Sequence, residues 1–464
     1  MSAPLGPAQP VGASVFAAGS TPPRADGAGA RREKVLLSIG VVAAILLRAI
    51  LVPINGGWGD LDQYAGWVHR LAKNVPFGSA YRLDLSYMPA LVAVFGALAH
   101  VVPGFATATD ASDLLIRVAL KLPPLVADGA CAVGVYLLAG GRRQGRAAAA
   151  LAVLVLPATW YLSAWWGQWD AIYAAAAIWV AVLAVRDRPI AAGILLGLAL
   201  MTKPQALFLA VPFAAWMLAS WNVRRGMGAV ILACVVGALT WLPFLFAGGI
   251  PDYLRNIANY QDRFFPFLSV EAWNFWGLIQ ERAAGGHFVL DSQAVLGPLT
   301  PRLIGLLMTF GAEALIALEV IRRPTNDRLL LGLAAATLVS FNLMTTMHER
   351  YSYAALVFLA PLLARPAVFL AWSILAVTIS LNILAAAPPN QQAGSVVPVS
   401  GPIGAIGSLA IVAATILVVV LLVRTKPGEP DRAPRSTGMR PGKRRHLLGR
   451  RRPVPGPDGD PATV

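Results

Sequence analysis

Two aspartates, Asp60 and Asp62, stand directly behind the first long apolar run of the chain. A carboxylate at the edge of a membrane span is costly to place, and such residues usually serve a function. One chemical use is to accept a proton from a substrate hydroxyl group. Because only Leu61 separates the two acids, we expect one to face a site and the other to face a partner group or solvent. The alternative is a solvated loop acid at either position.

Three further polar clusters interrupt the apolar sequence. They are Trp165-Trp166-Gly167-Gln168-Trp169-Asp170, Lys203-Pro204-Gln205 and Met347-His348-Glu349-Arg350-Tyr351. Gln168 and Asp170 among tryptophans predict a polar pocket with aromatic walls, which suits a sugar ring. An interfacial belt of tryptophans is the alternative. Lys203 lies at a helix break made by Pro204, where a cation suits a phosphate group; the alternative is a lysine that snorkels to the membrane surface.

The run His348-Glu349-Arg350 places three ionisable residues between two apolar segments. A loop whose charges pair with one another is the alternative to a site. The zinc-protease pattern His-Glu-x-x-His is absent from the sequence, and Cys131 and Cys234 both lie inside apolar runs. The sequence therefore requires no metal and no other cofactor, and it leaves a divalent metal open.

The elements that must position these residues are membrane helices. Of the 464 residues, 57% are hydrophobic and 13% are charged, and the mean hydropathy is +0.63; soluble domains carry about 25% charged residues. The net charge of +15 does not indicate a nucleic-acid partner, because it is concentrated in the C-terminal tail and in short turns between apolar runs. We predict an all-α, polytopic bundle of transmembrane helices.

The positive-inside rule predicts the topology of this bundle. Because each span needs about 20 apolar residues, we expect about twelve spans with both termini in the cytoplasm. Residues 87–102 are expected to form a surface or re-entrant helix, because a crossing there would place the basic turn at 141–146 outside. All polar clusters then face outside, together with a long loop at residues 248–297. The predicted domains are a disordered tail at 1–34, a membrane domain at 35–424 and a basic disordered tail at 425–464.

The motifs, in this order, resemble those of the GT-C membrane glycosyltransferases over residues 35–385. They are Gly59-Asp60 with Trp67, Tyr87-x-Pro89, Trp166-Gly167-Gln168-x-Asp170, Lys203-x-Gln205, His348-Glu349-Arg350-Tyr351 and, at residues 269–276, a segment ending in Trp273-Asn274-Phe275-Trp276. Two branches are similar: the endoplasmic-reticulum glucosyltransferases that use dolichyl-phosphate glucose, and bacterial relatives of the second GPI mannosyltransferase. The chain departs from the family pattern at Met88, where the family has the first of two prolines.

The resemblance implies that a hexose, with mannose preferred over glucose, is transferred from a polyprenyl-phosphate sugar to an extracytoplasmic acceptor with inversion. It also implies surface helices in the first outer loop. It assigns Asp60 as the catalytic base and Lys203, Gln205, His348 and Arg350 to the donor phosphate and sugar. The remaining pocket residues are Asp62, Tyr87, Trp166, Gln168, Asp170, Asn274, Trp276 and Glu349. Asp170 could instead be a structural partner of Lys203 or Arg350.

The expected partners are membrane lipid, the lipid-linked donor, and an acceptor that is a glycan, a glycolipid or a protein. The high Ala, Arg and Pro content is typical of bacteria with GC-rich genomes, which indicates a multi-pass protein of the bacterial plasma membrane. A transporter or flippase of a lipid-linked or polar solute is the alternative function, because intramembrane charge is typical of carriers too. A structural scaffold is the third interpretation, and a scaffold would not need the polar clusters.

Overall fold

The computed structural model describes residues 27–425 of the chain, apart from Arg142 and Leu296. This part of the chain is mostly helical, with turns and loops between the helices and two strands of two residues each, which confirms the all-α prediction. The helices of the first part are α1 (Gly27–Leu51), α2 (Asp60–Lys73), α3 (Pro89–Val101), α4 (Leu114–Leu138), α5 (Arg143–Val155), α6 (Pro157–Trp160), α7 (Asp170–Val185), α8 (Pro189–Leu200), α9 (Ala210–Ser220) and α10 (Val223–Thr240).

The second part continues with eight helices and the two strands. They are α11 (Gly249–Asn259), β1 (Ser269–Val270), α12 (Phe275–Ala284), α13 (Pro301–Arg322), α14 (Asn326–Leu343), β2 (Met347–His348), α15 (Tyr353–Leu359), α16 (Pro366–Ala386), α17 (Gln391–Val396) and α18 (Gly401–Arg424). Short 3-10 turns and two π-helical turns, at Tyr161–Trp166 and Tyr260–Phe264, connect several of these helices.

Six helical segments of the described chain are long and apolar enough to cross a membrane, namely those built on α1, α4, α10, α13, α16 and α18. A seventh would be α5 continued through α6 and the first π-helical turn, with a bend of 48° between the two parts. The prediction of about twelve spans is not confirmed. The other apolar helices have only 10–17 residues, and a helix of 12 residues is about 18 Å long, whereas the hydrocarbon core is about 30 Å thick.

The boundaries of the predicted membrane domain differ slightly from the helices. Helix α1 begins at Gly27, which lies inside the predicted N-terminal tail at 1–34. Helix α18 ends at Arg424, the last residue of the predicted membrane domain. Residues 1–26 and 426–464, which make up most of the two predicted tails, lie outside the described residues.

Two central helices form the core of the bundle. Helix α14 is buried from Arg328 to Asn342, and α15 is buried along its whole length. Helix α7 packs between α4 and α8, while α13 packs against α9 and α14. Many of the core positions are alanines, whose small side chains let neighbouring helix backbones approach closely.

A second apolar cluster joins α2 and α3 to the end of the bundle. Helix α2 is amphipathic and buries Tyr64 and Trp67 against Phe95 of α3. Phe95 in turn stacks on Trp169, with ring centroids 4.3 Å apart and planes inclined by 23°. Trp169 directly precedes α7, so the stack joins α3 to the start of α7. Because α2 packs on α3, its first residue, Asp60, lies beside the polar cluster at the start of α7.

The two short strands connect a distant segment to this end of the molecule. Strands β1 and β2 pair in parallel, with Ser269 opposite Met347 and Val270 opposite His348. The pairing places the segment between α11 and α12 against the turn that connects α14 to α15.

Candidate functional site

A large cavity of the described structure, about 970 Å³ in volume, lies where these segments meet. Five of the side chains predicted for the site line it, namely Asp60, Trp166, His348, Glu349 and Arg350. They come from the first turn of α2, the end of the first π-helical turn, and the segment around β2. Residues far apart in the sequence are thereby brought to one cavity wide enough for a sugar.

Asp60 is held by two hydrogen bonds to the same carboxylate oxygen. The indole Nε1–H of Trp166 donates to Oδ2 at 2.8 Å, and Nε2 of Gln168 donates to it at 2.6 Å. The other oxygen, Oδ1, has no hydrogen-bond partner among the described residues, and Asp60 lines the cavity. The carboxylate also begins α2, where the helix dipole stabilises negative charge. One oxygen is therefore oriented by the protein and the other is available to a substrate hydroxyl group.

A chain of hydroxyl groups supports Gln168 from behind. The hydroxyl of Tyr64 donates to Oε1 of Gln168 at 3.1 Å, and it lies 2.6 Å from the hydroxyl of Tyr87. Since the proton of Tyr64 is used by Gln168, the second hydrogen bond is donated by Tyr87. Tyr87 is therefore a supporting residue of Asp60 and does not line the cavity.

Two features of the local sequence bring Trp166 to Asp60. At Gly57, with φ of +83°, a Cβ atom would lie 2.1 Å from Cδ1 of Trp166, so only glycine lets the chain pass the indole. The fully buried Lys121 donates from Nζ to the carbonyl oxygens of Ala164 at 2.7 Å and Trp165 at 2.9 Å. A single ammonium group thus satisfies carbonyls of the π-helical turn, which would otherwise be left without partners in an apolar region.

Arg350 is one of three arginines that line the cavity, with Arg70 and Arg263. Its Nη1 donates to Oε1 of Glu349 at 2.6 Å, and its Nε lies 3.6 Å from Oδ2 of Asp170. The guanidinium group also stacks over the ring of Trp166, at 5.2 Å from the centroid. The planar group is therefore fixed on several sides, close to the indole that binds Asp60.

The charges of Glu349 and His348 are set by their burial and by Arg350. Burial alone would raise the pKa of Glu349, but attraction to Arg350 and the interaction with His348 outweigh it and hold the pKa at about 2. Burial lowers the pKa of His348, against the effect of Glu349. Near neutral pH Glu349 is thus an anion and His348 a neutral imidazole, whose Nε2 lies 2.9 Å from the hydroxyl of Tyr260.

Lys203 and Asp170 lie beneath the cavity and do not line it. They form a buried ion pair, with 2.9 Å between Nζ and Oδ1 and with the two side chains only 4% and 0% exposed. Gln205 lines a separate small cavity beside Tyr173 and Tyr351. Lys203 and Gln205, which were predicted to bind the donor, are therefore not in contact with the main cavity.

The remaining predicted residues make structural contacts away from the main cavity. Asp62 accepts the backbone N–H of Ala111 at 2.9 Å, so the two aspartates do point to different partners. Asn274 caps α12 by accepting the N–H of Gly277 at 2.7 Å. The indole of Trp276 donates to the carbonyl of Leu343 at 2.6 Å.

Sequence reasoning did not predict several residues of the cavity wall. Glu271, Tyr260, Phe267 and Phe288 all line it from the segment between α11 and α13. Their positions depend on the pairing of β1 with β2, which no local sequence pattern indicates. Within the described residues, no group of three or more His, Cys, Asp or Glu side chains could hold a metal ion.

Comparison with known proteins indicates the family of this chain. No curated protein matches the chain. Residues 121–390 match the sequence model of the ALG6, ALG8 glycosyltransferase family, which is more than half of the chain. The matched stretch contains the clusters around Asp170, Lys203 and Arg350, whereas Asp60 precedes it. Together with the helical architecture, the match shows that the chain is a membrane glycosyltransferase and belongs to the ALG6, ALG8 glycosyltransferase family.

Proposed function

We propose that this glycosyltransferase moves a hexose from a polyprenyl-phosphate sugar to the hydroxyl group of an acceptor outside the cytoplasm. Mannose is the proposed sugar and glucose the alternative. The acceptor is a glycan, a glycolipid or a protein, and the protein resides in the plasma membrane of a bacterium with both termini in the cytoplasm.

One observation carries the proposal. The carboxylate of Asp60 and the guanidinium group of Arg350 face the same cavity, and both contact the indole of Trp166. A transfer from a phosphate leaving group requires a base on the acceptor side and fixed positive charge on the leaving-group side. In this proposal Asp60 is the base and Arg350, which contacts the same indole, supplies the positive charge.

The reaction is a single displacement at the anomeric carbon. Asp60 removes the proton of the acceptor hydroxyl as its oxygen bonds to the anomeric carbon. The bond between that carbon and the phosphate oxygen breaks, and its electron pair leaves with the polyprenyl phosphate. Because the attacking oxygen and the leaving phosphate lie on opposite faces of the sugar, the configuration inverts. Arg350 stabilises the additional negative charge on the departing phosphate, and no general acid is required.

In this proposal, the contacts of the other predicted residues limit what each can do in the reaction. A neutral His348 can form hydrogen bonds to the donor but adds no positive charge. Gln168 and Trp166 orient Asp60. Asp170 and Lys203 act through Arg350, because neither lines the cavity.

The test is sugar transfer by purified protein in lipid vesicles, with polyprenyl-phosphate mannose or polyprenyl-phosphate glucose and acceptors from a membrane extract. Wild type is compared with Asp60→Asn and with Asp62→Asn, whose amide oxygen can still accept the N–H of Ala111. We expect transfer by the wild type and by Asp62→Asn, and a decrease of at least about 10²-fold in Asp60→Asn.

Each other outcome overturns a defined part of the proposal. Equal transfer by wild type and Asp60→Asn would remove Asp60 as the base. No transfer from either donor by correctly folded wild type would reject the donor class. Uptake of the lipid-linked sugar into vesicles without transfer would favour the transporter instead.

A further inference from the structure

Glu271 is a further carboxylate of the cavity, and the proposed reaction does not use it. It is half-buried and lines the same wall as His348, Glu349 and Arg350. Within the described part of the chain, its carboxylate forms no hydrogen bond and no ion pair, unlike the carboxylate of Glu349. A half-buried acid without a protein partner, facing a cavity, is available to a ligand.

The backbone of Glu271 is held in a conformation that glutamate rarely adopts. Its φ is +57°, in the left-handed region that costs energy for a residue with a side chain. Nδ2 of the fully buried Asn382 donates to the carbonyl oxygen of Glu271 at 2.8 Å, and a bridge pairs Glu271 with His348. Strain that the surrounding structure maintains in this way is a feature of functional sites.

An aromatic surface lies on the same stretch of the wall. The rings of Phe267 and Phe288 stack with centroids 4.4 Å apart and planes inclined by 16°, and both residues line the cavity. Phe288 is 53% exposed, so this stack lies at the solvent side of the wall. A flat apolar surface beside a free carboxylate matches a hexose, which has an apolar face of C–H groups and a rim of hydroxyl groups.

The charge of Glu271 indicates which substrate it binds. The departing phosphate of the donor becomes more negative during transfer and requires a cation. An unpaired carboxylate beside that phosphate would repel it, whereas the hydroxyl groups of an acceptor sugar donate hydrogen bonds to a carboxylate. Burial and the charge of Glu349 raise the pKa of Glu271 to about 7, so its charge develops around neutral pH and is nearly complete at pH 8.

We propose that Glu271, with the stack of Phe267 and Phe288, forms an acceptor subsite that binds the terminal hexose of a sugar-containing acceptor. The carboxylate accepts hydrogen bonds from the hydroxyl groups of this hexose, and Phe288 covers its apolar face. Glu271 is thus a specificity-determining residue for the acceptor. The subsite rests on the proposed transfer reaction and restricts its acceptor to a glycan or glycolipid.

The test begins with binding in the absence of donor. The full chain is placed in lipid nanodiscs free of glycoside detergent, and tryptophan fluorescence is followed on addition of methyl α-D-mannopyranoside, methyl α-D-glucopyranoside or glycerol. We expect one of the hexosides to change the fluorescence in a saturable way and glycerol to have no effect. Failure of both hexosides to bind the wild type would overturn the subsite.

The second measurement compares variants. Glu271→Gln keeps the size of the side chain, and Phe288→Leu keeps its apolar character but removes the ring. Glu281→Gln in α12 is the matched control, because Glu281 does not line the cavity. We expect Glu271→Gln and Phe288→Leu to weaken hexoside binding by about tenfold or more. Glu281→Gln should bind like the wild type.

Transfer kinetics separate this proposal from the transfer reaction itself. In Glu271→Gln the KM for the acceptor hexoside should rise by about tenfold or more, while the KM for the donor and kcat remain within about twofold. A rise in the donor KM instead would overturn the acceptor assignment. Hexoside binding that depends on Glu271, without any transfer by the wild type, would support the subsite and reject the proposed transfer reaction.

Discussion

The ammonium group of Lys203 lies 2.9 Å from Oδ1 of Asp170, and the second oxygen of Asp170 lies 3.6 Å from Nε of Arg350. Asp170 therefore stands between a cation that does not line the cavity and a cation that does. In the proposed reaction, Lys203 would therefore act without touching a substrate. Lys203 neutralises Asp170, and Asp170 holds the guanidinium group of Arg350 in place.

Removing one partner of this pair should destabilise the protein. Lys203→Met leaves the carboxylate of Asp170 without its closest cation, and Asp170→Asn leaves Lys203 as an uncompensated buried charge. We expect each single change to lower the free energy of unfolding by about 3–5 kcal/mol, and the double variant Lys203→Met/Asp170→Asn to recover part of that loss. Chemical unfolding in nanodiscs would measure the three values.

The same variants test whether Lys203 binds the donor phosphate. A positioning role predicts that Lys203→Met lowers kcat and leaves the KM for the donor nearly unchanged. If the donor KM rises in Lys203→Met and the double variant does not restore it, Lys203 contacts the phosphate directly and the positioning role is wrong.

The sequence indicates the residue types of the candidate site but not their arrangement. The run of charges at His348-Glu349-Arg350 and the acid Asp60 stand out against apolar surroundings, so a site that contains them could be predicted. The pairing of Lys203 with Asp170 was one of two alternatives, because a sequence does not show which of two cations an acid contacts. In the structure Asp170 lies close to both cations, 2.9 Å from Lys203 and 3.6 Å from Arg350, an arrangement that depends on the tertiary fold.

Glu271 and the number of spans illustrate what a single sequence does not contain. Glu271 resembles an ordinary loop acid, and only its left-handed backbone and its bridge to His348 bring it to the cavity. The prediction of about twelve spans treated each apolar run other than residues 87–102 as one crossing. Proline residues and π-helical turns divide several of these runs into helices of 10–17 residues, a length that hydropathy alone does not reveal.

Arg350 should be difficult to replace, even by lysine. Lysine keeps the charge, but it cannot contact Glu349 and Asp170 at once with a planar group stacked on Trp166. We expect Arg350→Lys to lower kcat by about 10²-fold or more, because the cation acts mainly on the charge that develops on the phosphate. Steady-state transfer rates would measure this.

A matched control for Arg350 is available on the surface. Arg255→Lys changes an exposed arginine that pairs with Asp252 on the same helix, and it should retain the wild-type rate. Similar rates for Arg350→Lys and wild type would mean that the shape of the guanidinium group is unimportant.

The acceptor step should depend on pH through Glu271. Its pKa of about 7 means that it becomes protonated as the pH falls from 8 to 6, which weakens its hydrogen bonds to acceptor hydroxyl groups. Glu349 and Arg350 act on its pKa in opposite directions. The other ionisable side chains that line the cavity are Asp60, Arg70, Asp84, Tyr260, Arg263 and His348, and Glu281 lines a smaller cavity with Glu271. Of all these groups, Glu349 stays ionised with a pKa of about 2, and the lowered pKa of His348 keeps it neutral.

We therefore expect kcat/KM for the acceptor to fall by about tenfold between pH 8 and pH 6 in the wild type. The profile of Glu271→Gln should be flat over this range and lie near the low-pH value of the wild type. A pH profile unchanged by the substitution would assign the titration to another group.

The packing of Trp166 against Gly57 should control the position of Asp60. A Cβ atom at Gly57 would lie 2.1 Å from Cδ1 of the indole, and φ there is +83°. Gly57→Ala must therefore displace the ring that donates to Oδ2 of Asp60. A shift of about 1 Å in a catalytic group can reduce the rate by about 10²-fold, and we expect a decrease of that order in kcat, measured as transfer at saturating donor and acceptor.

Gly129→Ala in α4 is the control for this change. A Cβ atom there would meet no atom within 4 Å, and alanine favours the helical conformation that Gly129 already has. This variant should keep the wild-type rate with equal or higher stability. If Gly57→Ala were as active as Gly129→Ala, the hydrogen bond from Trp166 would not be needed to orient Asp60. The orientation of the Asp60 carboxylate would then depend on Gln168 alone.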